Sequence, residues 1–248
     1  MPALQLLLID AGNTRLKWAT TKLRGKISIA GEIATKEANS EWIRLLARKF
    51  PQHRVILASV VPKLIPPFRR AFAQRLHVVN GTSPLLGLRF KYPNPAEIGA
   101  DRLATAVAAY ADGHWPVITV TCGTATAFTV LDADAKLCGG VIAPGLQTQL
   151  ASLLAATAQL PATKLRPPRR YLARSTEEAI RTGVVLNFQG GVKEILARLI
   201  ETLPKRPKLR ILLTGGNAHY LSQVLDVPAT LRPLLVFEGL RIIGSRIP

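Results

Sequence analysis

Acid is the scarce ingredient of this chain. Its 248 residues hold 15 Asp and Glu against 33 Lys and Arg, a formal charge of +18 at neutral pH. Such a field favours anionic partners, whether nucleotides, carboxylates or nucleic acid. Cysteine is nearly missing as well. Cys122 and Cys138 are the two present, which excludes a disulfide framework or a zinc site and leaves small buried thiols. No apolar run is long enough to cross a bilayer. The first apolar run lacks a basic leader and is cut short by Asp10, so no signal peptide and a cytoplasmic location are expected. Charged residues make up only 19% of the chain and hydrophobic ones 48%, which excludes a disordered polypeptide. The bases gather in loops and helix faces, as in Lys164–Arg174 and Pro204–Arg210. No aromatic-rich binding motif or convincing helix-turn-helix pattern accompanies them, so specific nucleic-acid binding is not expected. Neither GxxxxGK[ST] nor a GxGxxG after a strand occurs, which argues against the P-loop and dinucleotide folds.

What is present alternates between two structural periods. Gln5 to Asp10 is almost wholly apolar, as befits a strand covered on both faces. Strands are predicted at Leu16–Thr20, Lys26–Ile33, Arg54–Ser59 and His77–Val79, with helices at Glu41–Phe50 and within Pro62–Leu76. Tyr92–Gly99 reads as loop and Asp101–Asp112 as an alanine-rich helix. After a hinge at His114–Pro116 the opening pattern restarts: strand, glycine turn, strand, then a third strand over Lys136–Ile142. A helix begins at Gly145, and Ser175 with Glu178 forms a capping-box signal for the next. Lys208–Thr214 reads as a strand, Asn217–Leu225 as a helix and Glu238–Ser245 as a short closing helix. The same opening occurs twice, which implies two related α/β domains with mixed sheets, and a cleft between them is the natural place for a ligand.

Five stretches have the chemistry for a site. In Asp10-Ala11-Gly12-Asn13-Thr14 an acid at a strand end faces a glycine turn. Its carboxylate suits magnesium, and its amides suit a phosphate. An ordinary hairpin accounts for the same residues. Gly123-Thr124-Ala125-Thr126 is the second copy, with Thr121 standing where the first has Asp10. Gly139–Gly145 and Thr214–Asn217 are glycine turns next to helix starts, places that hold phosphates or merely punctuate. Gly99-Ala100-Asp101-Arg102 sets an acid beside a base. Asp101 could deprotonate a hydroxyl while Arg102 forks onto a carboxylate, or Asp101 could simply suit a helix first turn.

The ordered set DAGNT, GADR, GTAT, GGVIAPG and TGG resembles the type III pantothenate kinase family of the acetate-and-sugar-kinase, chaperone and actin superfamily. YPNP before GADR and Ser175–Ile180 downstream are its more specific features, and the likeness runs from Asp10 to about Gly239. It implies an α/β fold of two ribonuclease H-like domains, mixed sheets flanked by helices, divided here into residues 1–115 and 116–248. It also implies ATP-dependent phosphorylation of pantothenate, the first step toward coenzyme A. Asp10, Ala11, Gly12, Asn13, Thr14, Arg15, Leu16 and Lys17 would face ATP, with Asp10 organising Mg2+ indirectly, and Thr124 would touch ATP from the second turn. Tyr92, Gly99, Ala100, Asp101, Arg102 and Thr176 would contact pantothenate, Asp101 as general base. Such kinases bind a monovalent cation, K+ or NH4+, through an acid where Thr121 stands, so that dependence is expected to be altered or reduced. A homodimer is implied too. The alternatives are a kinase for another small hydroxylated acceptor, or a non-catalytic transcription accessory factor that binds nucleic acid.

Overall fold

The computed structural model describes residues 4–205 and 208–247; Arg206 and Pro207 of the basic loop lie outside them. The chain forms two compact units. One takes the chain up to His114, Ala135–Leu137 and the segment from Leu234 on; the other takes Trp115–Asp134 and Cys138–Pro233.

The first unit opens with β1 (Gln5–Ala11), β2 (Arg15–Lys22) and β3 (Ser28–Ala34), an antiparallel meander. Then come α1 (Ser40–Lys49), β4 (Arg54–Ser59), α2 (Ile65–Phe72), β5 (Leu76–Val78), the short β6 (Arg89–Phe90) and α3 (Ala100–Ala111). The sheet order is β3-β2-β1-β4-β5, with β4 parallel to both β1 and β5. Strand parity divides the unit in two. Leu7 and Ile9 join Leu16, Trp18, Val55 and Leu57 in a core closed by Ile43 and Leu46 of α1 and Phe68 and Phe72 of α2. Leu6, Leu8 and Asp10 alternate with them and therefore face the opposite side of the sheet.

The second unit contains β7 (Val117–Cys122), β8 (Ala125–Leu131), β9 (Lys136–Gly139), β10 (Ile142–Pro144), α4 (Leu146–Ala155), α5 (Thr176–Glu201), β11 (Arg210–Thr214) and β12 (Thr230–Leu231). Its strands run in the order β12-β11-β7-β8-β9, and β10 pairs back on β8. Leu146 and Leu150 of α4 and Val185, Phe188 and Val192 of α5 close its core over Ile118, Val120 and Phe128. Lys136 and Leu137, the first residues of β9, belong to the first unit and pair with Arg89 and Phe90.

Two elements depart from the sequence reading. The strand expected over Lys136–Ile142 breaks into β9 and β10, because Gly139 takes φ 140°, outside the strand range. The helix expected over Asn217–Leu225 is a single 3-10 turn, Ala218–Tyr220. The Asn217 amide is committed to the Cys122 carbonyl at 3.1 Å. A segment this short has too few internal bonds to propagate a helix once its start is held elsewhere.

The division at 115/116 does not follow the compact units: Ala135–Leu137 and the segment from Leu234 on join the first unit, and Trp115 joins the second. The last helix, α6 (Leu235–Ser245), packs in the first unit on α3, β1 and β4. Its Leu235, Phe237, Leu240 and Ile243 are buried, so the C-terminal segment supplies one side of the first core. The alanine run of α3 gives it a flat partner, and Gly239 gives it access. A Cβ on Gly239 would sit 1.8 Å from the Ala104 carbonyl oxygen. Two helix backbones are thus in direct contact. Gly239→Ala is expected to cost about 3 kcal/mol, the upper end for overpacking, because backbone and not a flexible side chain stands in the way. Urea unfolding checks it, and an unchanged midpoint would remove this contact from the stability of the unit.

Candidate active site

The first turn is held from behind. The Gly12 amide donates to the Arg15 carbonyl at 3.0 Å, closing the turn between β1 and β2. Buried Thr35, just after β3, donates its hydroxyl to the Gly12 carbonyl at 2.7 Å and its amide to the Thr14 carbonyl at 3.0 Å. With those carbonyls tied down, Asn13, Thr14 and Arg15 stand exposed at the tip. Ala11 and Leu16 behave otherwise: both side chains are buried in the core under α1 and α2, so only their backbone can meet a ligand.

A charged row crosses the sheet beside this turn. Asp10 on β1 pairs with Lys17 on β2, and Lys17 pairs with Glu32 on β3. Glu32 also reaches Arg15 at 2.9 Å, while its other oxygen lies 3.9 Å from Lys17. Neither Thr35 nor Glu32 was selected from the sequence. The register of the meander, which sets Glu32 across from Lys17, is the signal that could have found Glu32.

From above the same sheet face, α3 brings Asp101. Its Oδ1 accepts the Arg102 amide at 2.8 Å. Ala100 and Arg102 are buried, and Asp101 and Tyr92 are partly so. Burial pushes the Asp101 carboxyl up, and the Arg102 amide and guanidinium pull it partly back. Asp101 and Tyr92 both act electrostatically on Arg102, and burial lowers that guanidinium. The Asp10 carboxyl is pushed up to about 7, first by burial, then by the negative charge of Asp101, against the pull of Lys17. Asp10, Lys17, Asp101, Arg102 and Tyr92 therefore form one electrostatic group in the first unit. Two coupled carboxylates that burial raises despite Lys17 and Arg102 fit a divalent cation. No cluster of three or more His, Cys, Asp or Glu able to hold a metal occurs among the described residues, so such an ion would need phosphate oxygens and water besides Asp10.

The second turn is built differently. The pair Ala11–Leu16 brackets a four-residue turn, whereas Cys122–Thr126 brackets one of three. The Gly123 amide donates to the Ala125 carbonyl at 3.0 Å. The Thr124 carbonyl takes the Gly145 amide at 3.0 Å and the Thr148 hydroxyl at 2.5 Å, docking the start of α4 on the turn. Gly215 packs against the Cys122 backbone, where a Cβ would come within 2.5 Å of the carbonyl oxygen. The glycine turn at Gly145 thus packs on Gly123 and Thr124, and that at Gly215 on the neighbouring Cys122. Thr121 lies across from Ala127 and Thr214, two uncharged strand partners. Thr176 is exposed in the first turn of α5. The Glu178 amide donates to the Ser175 hydroxyl at 3.2 Å, so Ser175 is the cap. The Glu178 carboxylate bonds the Arg174 amide, one residue before the cap, and not the amide of Ser175 itself.

Known proteins sharpen what this arrangement is. A profile of the type III pantothenate kinase family matches residues 6–198. A type III pantothenate kinase of Methylacidiphilum infernorum is 35% identical over 240 residues, spanning 97% of this chain and 88% of that protein. One of Akkermansia muciniphila is 35% identical over 236 residues, spanning 95% and 96%. Among solved structures, a Baf family protein of Campylobacter jejuni superimposes with a TM-score of 0.62 at 19% identity, covering 96% of each chain. The activator of 2-hydroxyisocaproyl-CoA dehydratase from Clostridium difficile, solved with ADPNP, does so at 0.52 and 11% identity, covering 98% and 94%. Those two likenesses are of fold alone, and the fold is that of the actin-like ATPases.

The raised Asp10 carboxyl has a consequence for stability. The folded state binds this proton more tightly than the unfolded chain, so the stabilisation is complete below about pH 4 and lost as pH rises through about 7. Asp10→Asn keeps the shape and removes the titration. Without ligands, its melting temperature is expected to gain on the parent by a few degrees between about pH 5 and pH 8. Parallel curves across that range would contradict the placement of Asp10.

Proposed function

This chain belongs to the type III pantothenate kinase family, and we infer that it transfers the terminal phosphoryl group of ATP to the hydroxyl of pantothenate, the first step of coenzyme A biosynthesis. The observation that carries the assignment of roles is the electrostatic coupling of Asp10 and Asp101 on one face of the first sheet. Phosphoryl transfer needs in-line placement and neutralised charge more than covalent help. Those needs match the residues present.

Asp101 takes the hydroxyl proton. Its carboxyl is raised by burial, which brings its basicity closer to working pH and strengthens it as an acceptor. Proton transfer comes late in such a reaction, so a carboxylate is basic enough. Arg102, buried beside it, presents a fixed fork for the carboxylate of pantothenate. By the family resemblance, Tyr92, Gly99, Ala100 and Thr176 are further positions that contact pantothenate. At the first turn, Gly12 gives room for phosphate oxygens, the backbone of Asn13 and Thr14 points donors at them, and Arg15 and Lys17 add charge. Thr124 contacts ATP from the second turn. Asp10 is the residue to organise Mg2+ indirectly, and the ion when bound would neutralise charge on the triphosphate. A K+ or NH4+ site does not fit this chain at Thr121, where a neutral hydroxyl occupies the place of an acid. The working molecule is expected to be a cytoplasmic homodimer, which sedimentation of the purified protein tests.

Asp101→Asn is expected to lower kcat by about 10²- to 10⁴-fold with KM for ATP changed only a few-fold. A coupled assay for phosphopantothenate measures both, and a variant as fast as the parent would exclude Asp101 as the base. Dependence of turnover on potassium or ammonium, compared with sodium at fixed ionic strength, is further expected to be altered or weaker than in relatives that keep the acid. A strict requirement for potassium or ammonium would show that a cation site persists without the acid.

A further inference from the structure

The kinase chemistry leaves the positive charge unexplained, and the structure shows where much of it is concentrated. From Trp42 through Ala96 the chain has ten Lys and Arg and no Asp or Glu. This segment includes most of α1 and all of α2, which pack side by side over the Leu7–Ile9 face of the first sheet. Each helix turns its apolar residues down, Ile43, Leu46 and Ala47 from α1 and Phe68 and Phe72 from α2. The solvent side then carries Arg44, Arg48, Lys49, Lys63, Arg69 and Arg70, all exposed. Among the described residues none of the six takes part in an ion pair. By contrast Arg75, at the edge of the same layer, is occupied with the Phe50 and His53 carbonyls at 2.8 and 3.1 Å. The one acid close by on α1 is Glu41, at its first turn.

We propose that the α1/α2 face binds the phosphodiester backbone of double-stranded nucleic acid without reading its sequence. Four of the six cations are arginines, whose planar fork suits phosphate oxygens. Arg44 and Arg48 lie one helical turn apart, about 6 Å, a spacing on the scale of successive backbone phosphates. A bilayer is a poorer partner, because a membrane-surface helix needs an apolar stripe beside its bases. Leu45 is the only large apolar side chain exposed on α1 and α2. Unpaired strands are poorer as well, since their recognition uses rings on which bases stack. Trp42 packs edge-on against Trp18 at 5.3 Å, and Phe68 and Phe72 are buried. Asp10 faces the other side of the sheet, so the surface is separate from the phosphoryl-transfer residues.

The test uses the full chain and a labelled mixed-sequence DNA duplex of about 20 base pairs, followed by fluorescence anisotropy. Affinity is expected to fall by about 10²- to 10³-fold between about 50 and 200 mM KCl, as for some five neutralised phosphates. The variant Arg44→Gln, Arg48→Gln, Arg69→Gln, Arg70→Gln should bind at least about tenfold more weakly at low salt, with the log–log salt slope shallower by about 3 to 4. A control removes the same charge elsewhere: Lys164→Gln, Arg166→Gln, Arg169→Gln, Arg170→Gln, all exposed in the loop before α5. It should keep the slope and stay within about threefold of the parent. The double variant Arg44→Gln, Arg48→Gln gives a milder form, with a slope change of about 2, should the fourfold one unfold. Equal losses in variant and control would reduce the effect to net charge and overturn the proposal. So would the absence of salt-sensitive binding, or tighter binding to phosphatidylserine vesicles that the same four substitutions abolish. Far-UV circular dichroism and pantothenate turnover, both expected to be unchanged, verify that the variants are folded.

Discussion

The contact between Gly239 and the Ala104 carbonyl is the constraint on which the site depends. It is a backbone-to-backbone approach between α6 and α3, with room for no side chain at Gly239. α3 bears Asp101 at its first turn, so the seat of α3 decides where that carboxylate lies relative to Asp10. Nearly all of α3 is buried, and small residues are what let it sit so deep. A larger residue at the crossing would lift the helix, and the acid at its end would move with it. The C-terminal segment therefore helps to position Asp101 although it lies more than a hundred residues away in sequence.

The two glycine turns show how similar sequences are put to different use. Both follow a buried strand and both close with an amide donated across the turn. The first is four residues long, is braced by Thr35 and lies beside the row Asp10, Lys17 and Glu32. The second is three residues long, is braced by the start of α4 and by Gly215, and has the pair Thr121 and Ala127 where the first has Asp10 and Lys17. Its bracing groups are amides and hydroxyls. It can hold a phosphate through fixed dipoles, but it lacks the carboxylate for a hard cation. The coupled carboxylates thus belong to the first unit, where burial and the charge of Asp101 on Asp10 favour a proton or a cation.

Charge is distributed with the same division. On the Asp10 side of the first sheet, acids and bases are paired or coupled. On the α1/α2 side, the six exposed bases take part in no ion pair among the described residues. The interior of that layer is an ordinary apolar core, so the excess charge is not demanded by folding; it slightly opposes compaction through self-repulsion. A surface that tolerates this is using it for something outside the chain.

Much of this was legible in the sequence by itself. Apolar runs and alternation gave β1, β4, α1 and α3 close to their observed limits, because each buries its own residues locally. Motif order gave the family, since glycines and acids at turns are fixed by phosphate and metal chemistry. What tertiary structure alone decided has a common cause: each feature depends on partners distant in sequence. The assignment of α6 to the first unit comes from its fit to α3, more than a hundred residues earlier. The loss of the helix after Gly216 comes from an amide captured by Cys122. The roles of Thr35 and Glu32 come from strand register, and the cationic face comes from two helices laid side by side. Local pattern specifies which groups a segment offers. Only packing specifies which of those groups meet.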